Sequence, residues 1–320
     1  MMNKIIILTG PTAVGKTKLS VALAKKIGGE IISADSMQVY RYMNIGTDKI
    51  STSKMGGVMH HMIDVLDPTE DFNVCIFQHM VNDILTDIYA RGHVPIIAGG
   101  TGFYIQAVLY GIDFTETDSD ETYRNMLEQE AAQSGPEFLH AKLRMVDPVS
   151  ADMIHPNNMK RVIRALEFYH KTGTCISEHN EAEHARRSPY DFRYFVLTDD
   201  RDELYRRIDQ RVDDMIKTGL VEEVQKLLQM GVRPEMTSMQ GLGYREILAY
   251  LNHEYDLDRA VFLIKRNTRH FAKRQLTWFR REKDVRWIDK KIFMRDDQQI
   301  LEEMIRQIND PATSLSEVQK

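Results

Sequence analysis

The sequence predicts an α/β protein, with a parallel β-sheet flanked by helices and an inserted all-helical subdomain. Three apolar runs support the sheet: KIIILTG at residues 4–10, EIISAD at 30–35 and VPIIAGGTG at 94–102. Strands that alternate with helices are typical of a doubly wound parallel sheet that is buried on both faces. Sheets of this kind bind ligands at the carboxyl ends of their strands.

The first third of the chain supplies most of the predicted elements. In chain order we predict a strand at 4–10, a helix from about Gly15 to Ile27 that Gly28 and Gly29 close, a strand at 30–35, a strand over His61–Pro68, a helix over Val74–Arg91 and a strand at 94–102. Glycine after a periodic run ends a helix, and glycine or aspartate after an apolar run ends a strand.

The pattern changes after about Phe114. From Glu116 to Arg187 we find helical periodicity and no convincing strand, and strand character returns in YFVLT at Tyr194–Thr198. We therefore predict an α/β core in two parts, residues 1–115 and 188–320, that a helical arm of residues 116–187 interrupts. The polar C-terminal end, roughly the last 20 residues, is predicted to be frayed.

Composition narrows the class of protein. The chain has 320 residues and a net charge of −5, which excludes a uniformly basic coat but not a local basic groove. Cys75 and Cys175 lack metal-ligand spacing, so we expect no disulfide framework and no zinc site. No apolar stretch approaches the ~18 residues of a membrane span. These features predict a cytoplasmic protein that is not bound to membranes, and nothing indicates an obligate oligomer, so we expect a monomer.

The stretch GPTAVGKT between the first strand and the first helix matches the phosphate-binding pattern G-x-x-x-x-G-K-[ST] completely. The matching residues are Gly10, Pro11, Thr12, Ala13, Val14, Gly15, Lys16 and Thr17. Backbone N–H groups of such a loop cradle phosphates, helped by the positive end of the helix. Lys16 adds a point charge, and the Thr17 hydroxyl is a candidate ligand for Mg²⁺. The core is therefore expected to be P-loop NTPase-like.

Phosphoryl transfer is less well supported than phosphate binding. A kinase or NTPase of this class also needs an acid at the end of an apolar strand to position metal and water. The run PIIAGG ends in glycines instead, and Asp64 in HMIDVLDP is a poor substitute.

The second strand ends at Asp35, which is predicted to emerge beside the phosphate loop. Position alone leaves two interpretations open for this carboxylate, a turn or helix-capping aspartate and a functional group of the site.

At this point the sequence resembles a known family, the tRNA dimethylallyltransferases, also called tRNA isopentenylpyrophosphate transferases. The stretches that carry the resemblance are, in order, GPTAVGKT, SADSMQVYRYMNIGTDK, HHMIDVLDP, AGGTGFY, DPVSADMIHPNNMKRVIRALE, RVDDMIKTGLVEEV, SMQGLGYREI and AKRQLTWFRRE. They run from about Ile5 to Trp287, which is nearly the whole chain.

The resemblance implies that a dimethylallyl group moves from its diphosphate to the exocyclic amine of the adenosine just 3′ of a tRNA anticodon. The phosphate loop then holds dimethylallyl diphosphate and not ATP. Asp35 matches the family's general base, since a nearby carboxylate can take the proton of a weakly nucleophilic amine. Thr12 and Arg211 match residues that act on the diphosphate, together with Lys16 and with Mg²⁺ at Thr17.

The tRNA anticodon stem-loop is the macromolecular partner that the resemblance implies. The residues that match tRNA-contacting positions of the family are Asp35, Ser36, Met37, Gln38, Thr101, Arg124, Met159, Lys160, Arg161, Val162 and Ile163. The target base is normally stacked, so we expect the enzyme to flip it out.

A basic stripe near the C-terminus supports RNA binding independently. Residues 259–286 contain ten Lys or Arg and two acids. On a helix, Arg269 and Lys273 share a face, while Ile264, Phe271 and Trp278 repeat every seven residues on the opposite side, which we expect to be buried. We also predict that the loop 241–245 (GLGYR), before this stripe, contacts RNA.

Three groups of residues have a structural interpretation. We interpret His60, His61 and His155 as structural. The run DDRDE at 199–203 is similar to the metal motif of prenyl-diphosphate synthases, but acids in the first turn of a helix are the ordinary explanation. Arg211 lies at the edge of the apolar face of its predicted helix, and an ion pair with Asp209 or Asp214 is the alternative to its role at the diphosphate.

Other functions stay open at this stage. An adenylate isopentenyltransferase shares the loop and the base but does not need the basic stripe or the helical arm. An ATP-dependent small-molecule kinase uses the loop for ATP. A non-catalytic RNA-binding protein is disfavoured because Lys16, Thr17 and Asp35 are all present.

Overall fold

A computed structural model describes residues 3–114, 121–184 and 186–310. The chain forms two compact units, one made of Met1–Leu109 and Pro189–Lys320 and the other of Tyr110–Ser188. The boundary predicted between residues 115 and 116 lies outside the described residues.

The first unit contains a six-stranded sheet in the order β3-β2-β4-β1-β5-β6, and all neighbouring strands pair in parallel. The strands are β1 (Asn3–Thr9), β2 (Gly29–Ala34), β3 (His60–His61), β4 (Val94–Gly99), β5 (Tyr190–Thr198) and β6 (Val285–Asp289). The side chains of Ile5 to Leu8 in β1 are fully buried, as expected for a central strand covered on both faces.

Two strands differ from the prediction. β3 has only two residues, because the chain turns away through positive φ angles of 62° at Met62 and 56° at Asp64. The predicted strand over His61–Pro68 is therefore wrong beyond its first residue. β6 was not predicted, because its sequence contains no apolar run. It is an edge strand in which only Ile288 is buried.

Helices of the first unit cover both faces of the sheet. They are α1 (Lys16–Ile27), α2 (Thr52–Met55), α3 (Val74–Ala90), α4 (Gly102–Tyr110, whose last residue belongs to the second unit), α10 (Arg201–Lys217), α11 (Leu220–Gln229), α12 (Tyr244–Leu251), α13 (Leu257–Phe279) and α14 (Asp297–Asn309), with a 3₁₀ helix at Thr237–Gln240. Gly28 ends α1 in the left-handed conformation, and Asn73 caps α3 by accepting from the N–H groups of Cys75 and Ile76. α14 was not predicted. The expected fraying of the last 20 residues is wrong for residues 301–309, which are helical, with Leu301, Met304 and Ile308 buried in the core. Residues 311–320 lie outside the described range.

All elements that the structure describes between residues 121 and 184 are helices. They are α5 (Glu121–Ser134), α6 (Pro136–Val146), α7 (Pro148–Met153), α8 (Met159–Thr172) and α9 (Ile176–His184). They enclose a small apolar core of their own, to which α6 contributes Leu139 and Leu143 and α8 contributes Val162 and Leu166. Along the described ranges, no helix is both long and apolar enough to cross a membrane.

The parallel sheet brings the ends of five strands to one edge. The residues that directly follow β1, β2, β4, β5 and β6 there are Gly10, Asp35, Gly100, Asp199 and Lys290. Since β4 lies between β1 and β2, its exit stands between the phosphate loop and Asp35. The strand order thus gathers segments from distant parts of the chain at the edge where such sheets bind ligands.

Candidate active site

The phosphate loop connects β1 to α1 at the carboxyl edge of the sheet. Its backbone takes positive φ angles at Gly10 (144°), Ala13 (62°) and Gly15 (98°), the last of which is the N-cap of α1. A Cβ added at Gly10 would come within 2.5 Å of the carbonyl oxygen of Leu197 in β5, so only glycine fits there. The loop therefore presents N–H groups and the positive end of α1 to one point, which is an anion-binding arrangement.

Lys16 is the cation of this loop. Its Nζ donates to the carbonyl oxygens of Gly10 (2.9 Å) and Pro11 (2.8 Å). Burial is the main cause that lowers the pKa of Lys16 to about 8. The carboxylates of Asp35 and Asp48 act to raise this pKa, and the guanidinium of Arg211 acts to lower it further. The charge of Lys16 is therefore influenced by two carboxylates and a guanidinium as well as by its burial.

Thr12 is held from two helices. Nη1 of Arg211, on α10, donates to the Thr12 hydroxyl at 3.0 Å and lies 3.4 Å from Oδ2 of Asp48. Oε1 of Gln275, on α13, accepts the backbone N–H of Thr12 at 2.9 Å, and its Nε2 donates to the carbonyl of Gly100 at 2.9 Å. Arg211 therefore reaches the phosphate loop as expected, and its ion pair is with Asp48, not with the predicted alternatives Asp209 or Asp214.

Gln275 was not among the residues predicted to belong to the site. It is 6% exposed and lies on the buried face of α13 between Ala272 and Phe279. The spacing of three residues from Ala272 and four to Phe279 places Gln275 on the same face of the helix as both. A glutamine on a buried face is a signal that could have identified it, because a buried amide needs hydrogen-bond partners.

Lys290 contacts the phosphate loop through the backbone of Val14. It follows β6, is 6% exposed, and its Nζ lies 3.0 Å from Oδ1 of Asp297 and 3.4 Å from the carbonyl oxygen of Val14. Oδ2 of Asp297 also pairs with Lys18 at 3.0 Å. Burial would raise the pKa of Asp297, but the hydrogen bonds from Lys18 and Lys290 outweigh it and hold that pKa below its usual value.

Asp35 lies directly after β2 and is half-buried. Its Oδ1 accepts the N–H of Met37 at 2.9 Å and of Gln38 at 3.4 Å, which fixes the carboxylate in an Asx-type turn. Among the described residues no hydrogen bond reaches Oδ2. The turn interpretation is thus confirmed for Oδ1, and a functional role of Asp35, through Oδ2, stays a prediction.

The segment after Asp35 is fixed by a carboxylate from α11. Glu223 accepts the backbone N–H groups of Asn44, Ile45 and Gly46, at 2.8, 2.8 and 3.1 Å, and the Tyr244 hydroxyl at 2.7 Å. Burial, with the Glu223 carboxylate, raises the pKa of Tyr244 well above its usual value. This cluster positions Asp48, the partner of Arg211.

This arrangement limits which residues of the predicted RNA-contacting loop 241–245 are accessible, since Arg245 is exposed and Leu242 half-buried while the others are buried. Tyr244 is 1% exposed and hydrogen-bonded, Gly241 and Gly243 are buried, and Arg245 pairs with Glu246. Its small residues allow close packing; for example, a Cβ at Gly241 would lie 2.8 Å from Cε of Met37.

The remaining tRNA candidates of the core unit either follow Asp35 directly in the chain or adjoin the end of β2. Ser36, Met37 and Gln38 are half-buried, and the Gln38 side chain donates to the carbonyl of Thr47 at 3.1 Å. The backbone N–H of Thr101 donates to the carbonyl of Ala34 at 3.1 Å, which places the start of α4 beside the end of β2.

The basic residues of the predicted stripe fall into two groups, one held in an ion pair and one exposed to solvent. Arg269 is bound to Asp209 of α10 at 2.5 Å, whereas Lys273, Arg274, Arg280 and Arg281 are exposed. The predicted apolar side is also only partly right. Ile264 is buried, but Phe271 and Trp278 are intermediate, and the face that packs inward continues through Ala272, Gln275 and Phe279.

The candidates in the helical unit lie on α5 and α8. Arg124 makes a two-pronged ion pair with Glu167, at 2.9 and 2.8 Å. Lys160 and Arg161 are exposed and Met159 is half-buried, but the side chains of Val162 and Ile163 pack in the unit's own core. Only the first three of this predicted segment therefore present side chains at the surface.

Other acidic and histidine groups have structural partners. Asp200 caps α10, and Asp199 pairs with Arg207 and Arg295, in accord with the interpretation of 199–203 as first-turn acids. Asp64 pairs with Lys49 at 2.6 Å beside the edge strand β3, away from β1. His61 bonds to Glu30 at 2.6 Å, and His155 accepts the N–H of Asn157 at 3.2 Å.

The phosphate loop fits Mg²⁺ only if a bound phosphate supplies most of the oxygen ligands. Thr17 lies in the first turn of α1 with an exposed side chain. The described part of the chain has no group of three or more His, Cys, Asp or Glu that could hold a metal ion. Mg²⁺ prefers oxygen ligands and commonly binds through substrate phosphates and few protein groups, so a single hydroxyl fits that manner of binding.

Comparison with known proteins agrees with this geometry. A family model described as IPP transferase matches residues 38–282 of the chain. A second model, described as isopentenyl transferase, matches residues 3–66, which include the phosphate loop and Asp35.

Individual relatives cover nearly the whole chain. A tRNA dimethylallyltransferase of Lachnoclostridium phytofermentans is 56% identical over 95% of this chain and 97% of its own length. The crystal structure of a Bacillus halodurans tRNA isopentenylpyrophosphate transferase is 44% identical, with a TM-score of 0.69 over 96% of this chain and 100% of that chain. A eukaryotic dimethylallyltransferase, crystallised acting on tRNA, is 31% identical, with a TM-score of 0.77 over 90% of this chain and 74% of that chain. The chain belongs to the tRNA dimethylallyltransferase family of IPP transferases.

Proposed function

We propose that the protein transfers a dimethylallyl group from dimethylallyl diphosphate to the exocyclic amine of the adenosine 3′-adjacent to a tRNA anticodon. The observation that carries the proposal is that Asp35 and the phosphate loop lie at one edge of the sheet. Ala34, just before Asp35, pairs with Gly99 of β4, and Gln275 joins the following Gly100 to Thr12 of the loop. A base and a diphosphate site at one edge are what amine prenylation requires. The names of the relatives support tRNA as the acceptor, and a tRNA substrate in turn supports a cytoplasmic location.

In the proposed reaction Asp35 is the general base. The adenine amine attacks C1 of the dimethylallyl group, the allylic C–O bond breaks, and diphosphate leaves with the bonding electron pair. Oδ2 of Asp35 takes a proton from the amine nitrogen as the N–C bond forms. The Met37 N–H on Oδ1 keeps the carboxylate oriented.

The phosphate loop stabilises the leaving group. Negative charge grows on the diphosphate as the C–O bond breaks, and the loop N–H groups, Lys16 and Arg211 are already arranged around an anion site. Arg211 and the Thr12 hydroxyl act together, since they are hydrogen-bonded. Mg²⁺ held by Thr17 and the diphosphate would supply further positive charge to the departing oxygens.

The acceptor is proposed to be the anticodon stem-loop. Exposed Lys273, Arg274 and Arg281 on α13 provide cations for phosphate contacts, and Lys160 and Arg161 provide them on the helical unit. We propose that the flipped adenine reaches Asp35 and Thr101, with Ser36, Met37 and Gln38 beside it. The protein is proposed to act as a monomer.

A second candidate function is the prenylation of a free adenine nucleotide. The match of residues 3–66 to the isopentenyl transferase model favours it. It shares the phosphate loop and Asp35, but it leaves the exposed cations of α13 without a role.

A transfer assay with radiolabelled dimethylallyl diphosphate tests the proposal. Unmodified tRNA that reads U-starting codons, AMP and no acceptor are offered in parallel, and ATP hydrolysis is followed separately. We expect label in tRNA alone. Label in AMP would move the protein to free-nucleotide prenylation, and ATP turnover without label would make the loop an ATP site.

A further inference from the structure

The solvent side of α13 borders an open cavity of about 420 Å³. The residues that line it follow one face of the helix and its C-terminal end, namely His270, Lys273, Arg274, Thr277, Trp278 and Arg281. Its size is in the range of small-ligand sites, roughly 300–1,000 Å³. The cavity combines one large aromatic ring with three long cationic side chains and no carboxylate among its lining residues.

Trp278 also touches the segment that follows Thr101. A Cβ added at Gly102 would lie 2.3 Å from Cδ1 and Nε1 of Trp278, so the indole packs directly on the start of α4. The Phe103 ring, 40% exposed, meets the Trp278 ring edge-on, with 6.2 Å between centroids and an interplanar angle of 67°. Trp278 thus packs on Gly102, the residue next to Thr101, which is the proposed contact of the target nucleotide, and Phe103 follows two residues after Thr101.

The chemistry of the cavity fits an unpaired nucleotide. Removing one base from the stack of an RNA loop leaves its neighbours exposed, and proteins hold such bases on aromatic side chains. Base–aromatic stacking tolerates any base, because each has a π-face, and nearby cations take the phosphates. A purely apolar ligand would leave Lys273, Arg274 and Arg281 without counter-charges.

We propose that Trp278, with Phe103 beside it, is a stacking platform for the unpaired RNA base next to the target adenosine. Lys273, Arg274 and Arg281 hold the phosphates of that nucleotide. This inference rests on the proposed RNA substrate and extends it to a second nucleotide site.

The two tryptophans of the chain, Trp278 and Trp287, give a direct test. Trp287 lies on β6, is 39% exposed and does not line the cavity. In the Trp287→Phe variant all tryptophan emission comes from Trp278, and we expect an unmodified anticodon stem-loop to quench it. In the matched Trp278→Phe variant only Trp287 emits, and its signal should stay unchanged, while anisotropy of end-labelled RNA confirms binding in both.

Affinity gives the second readout. Trp278→Leu should weaken stem-loop binding by about 5- to 100-fold, Trp278→Phe by much less, and Trp287→Leu hardly at all. Unfolding midpoints show that each variant is folded. Bound RNA that leaves Trp278 emission unchanged, together with unaltered affinity of Trp278→Leu, would overturn the platform. Failure of the proposed function is separate from this result: wild-type protein would then bind the stem-loop without transferring label to it.

Discussion

The guanidinium of Arg211 donates to the hydroxyl of Thr12 at 3.0 Å, across 199 residues of sequence. α10 and the phosphate loop are thereby joined at the point where the diphosphate is proposed to leave. Asp48 lies on the same guanidinium at 3.4 Å, so the cation is held from two sides.

Replacing Arg211 tests the stabilisation of the leaving group. Arg211→Lys keeps the charge but loses the planar fork that bonds Thr12. We expect kcat for label transfer to fall by about 10²-fold, the typical effect of removing one preorganised donor. Arg206→Lys is the matched control, since Arg206 lies on the same helix but is exposed and pairs with Glu203. Equal activity of both variants would remove Arg211 from the chemistry.

Replacing Asp35 tests the proton acceptor. Asp35→Asn retains an oxygen for the Met37 N–H and loses the basic group, so the turn should persist. We expect the transfer rate to fall by about 10²- to 10⁴-fold while the affinity for tRNA changes little. Asp67→Asn, at an exposed aspartate paired with Arg41, is the control. Lost tRNA affinity with normal single-turnover chemistry would instead make Asp35 a binding residue.

Gln275 is predicted to position the phosphate loop. Gln275→Met has a similar volume but leaves the Thr12 N–H and the Gly100 carbonyl without their partner. We expect a loss of about 1–3 kcal/mol in the free energy of unfolding. The KM for dimethylallyl diphosphate should rise about tenfold, roughly the effect of 1.4 kcal/mol. Gln299→Met, at an exposed position of α14, should change neither. A stability loss with normal KM would mean that Gln275 serves folding only.

The exposed cations of α13 should govern the salt dependence of tRNA binding. Lys273→Glu is expected to weaken binding and to reduce the slope of log affinity against log salt by about 1 or more. Arg269→Glu should act mainly on stability, because Arg269 is bound to Asp209 of α10. Lys26→Glu, in the last turn of α1 far from the loop, is the control for net charge. An unchanged slope for Lys273→Glu would move the RNA surface away from α13.

Local signals account for what the sequence predicted well. β1, β2 and β4 are short apolar runs followed by Gly10, Asp35 and Gly100, and each is complete within ten residues. The resemblance then supplied roles for residues that no local pattern identifies, such as Arg211. It also marked Val162 and Ile163, whose side chains are buried in the helical unit.

Long-range contacts and weak periodicity account for the rest. Gln275 meets Thr12 over 263 residues and Glu223 meets Asn44 over 179, distances at which single polar residues leave no pattern. The seven-residue spacing of Ile264, Phe271 and Trp278 drifts around an α-helix by ~20° per repeat, so the stripe does not stay on the buried face. That drift places Trp278 at the cavity, where the proposed platform lies.

The last prediction concerns stability at the opposite edge of the sheet. Glu30, near the start of β2, is 3% exposed and accepts from Arg91, His61 and His93. The hydrogen bond from Arg91 is the main cause that lowers the pKa of Glu30 to about 2, against the effect of burial. A lowered carboxyl pKa means that this contribution to stability is complete above the unfolded pKa of about 4.5 and is lost as the pH falls toward 2.

Glu30→Gln should therefore destabilise the protein most at neutral pH. We expect a loss of about 2–3 kcal/mol at pH 7, below the full cost of breaking a buried pair because Arg91 and His93 are half-exposed and can rehydrate. Urea unfolding followed between pH 7 and pH 2.5 should show the difference from wild type shrinking as the pH falls. Glu254→Gln, at an exposed carboxylate, should show no such trend. Transfer activity of the folded variant should stay normal, because Glu30 lies at the amino end of β2 and Asp35 follows its carboxyl end. A pH-independent loss of stability would mean that packing, not charge, is what Glu30 contributes.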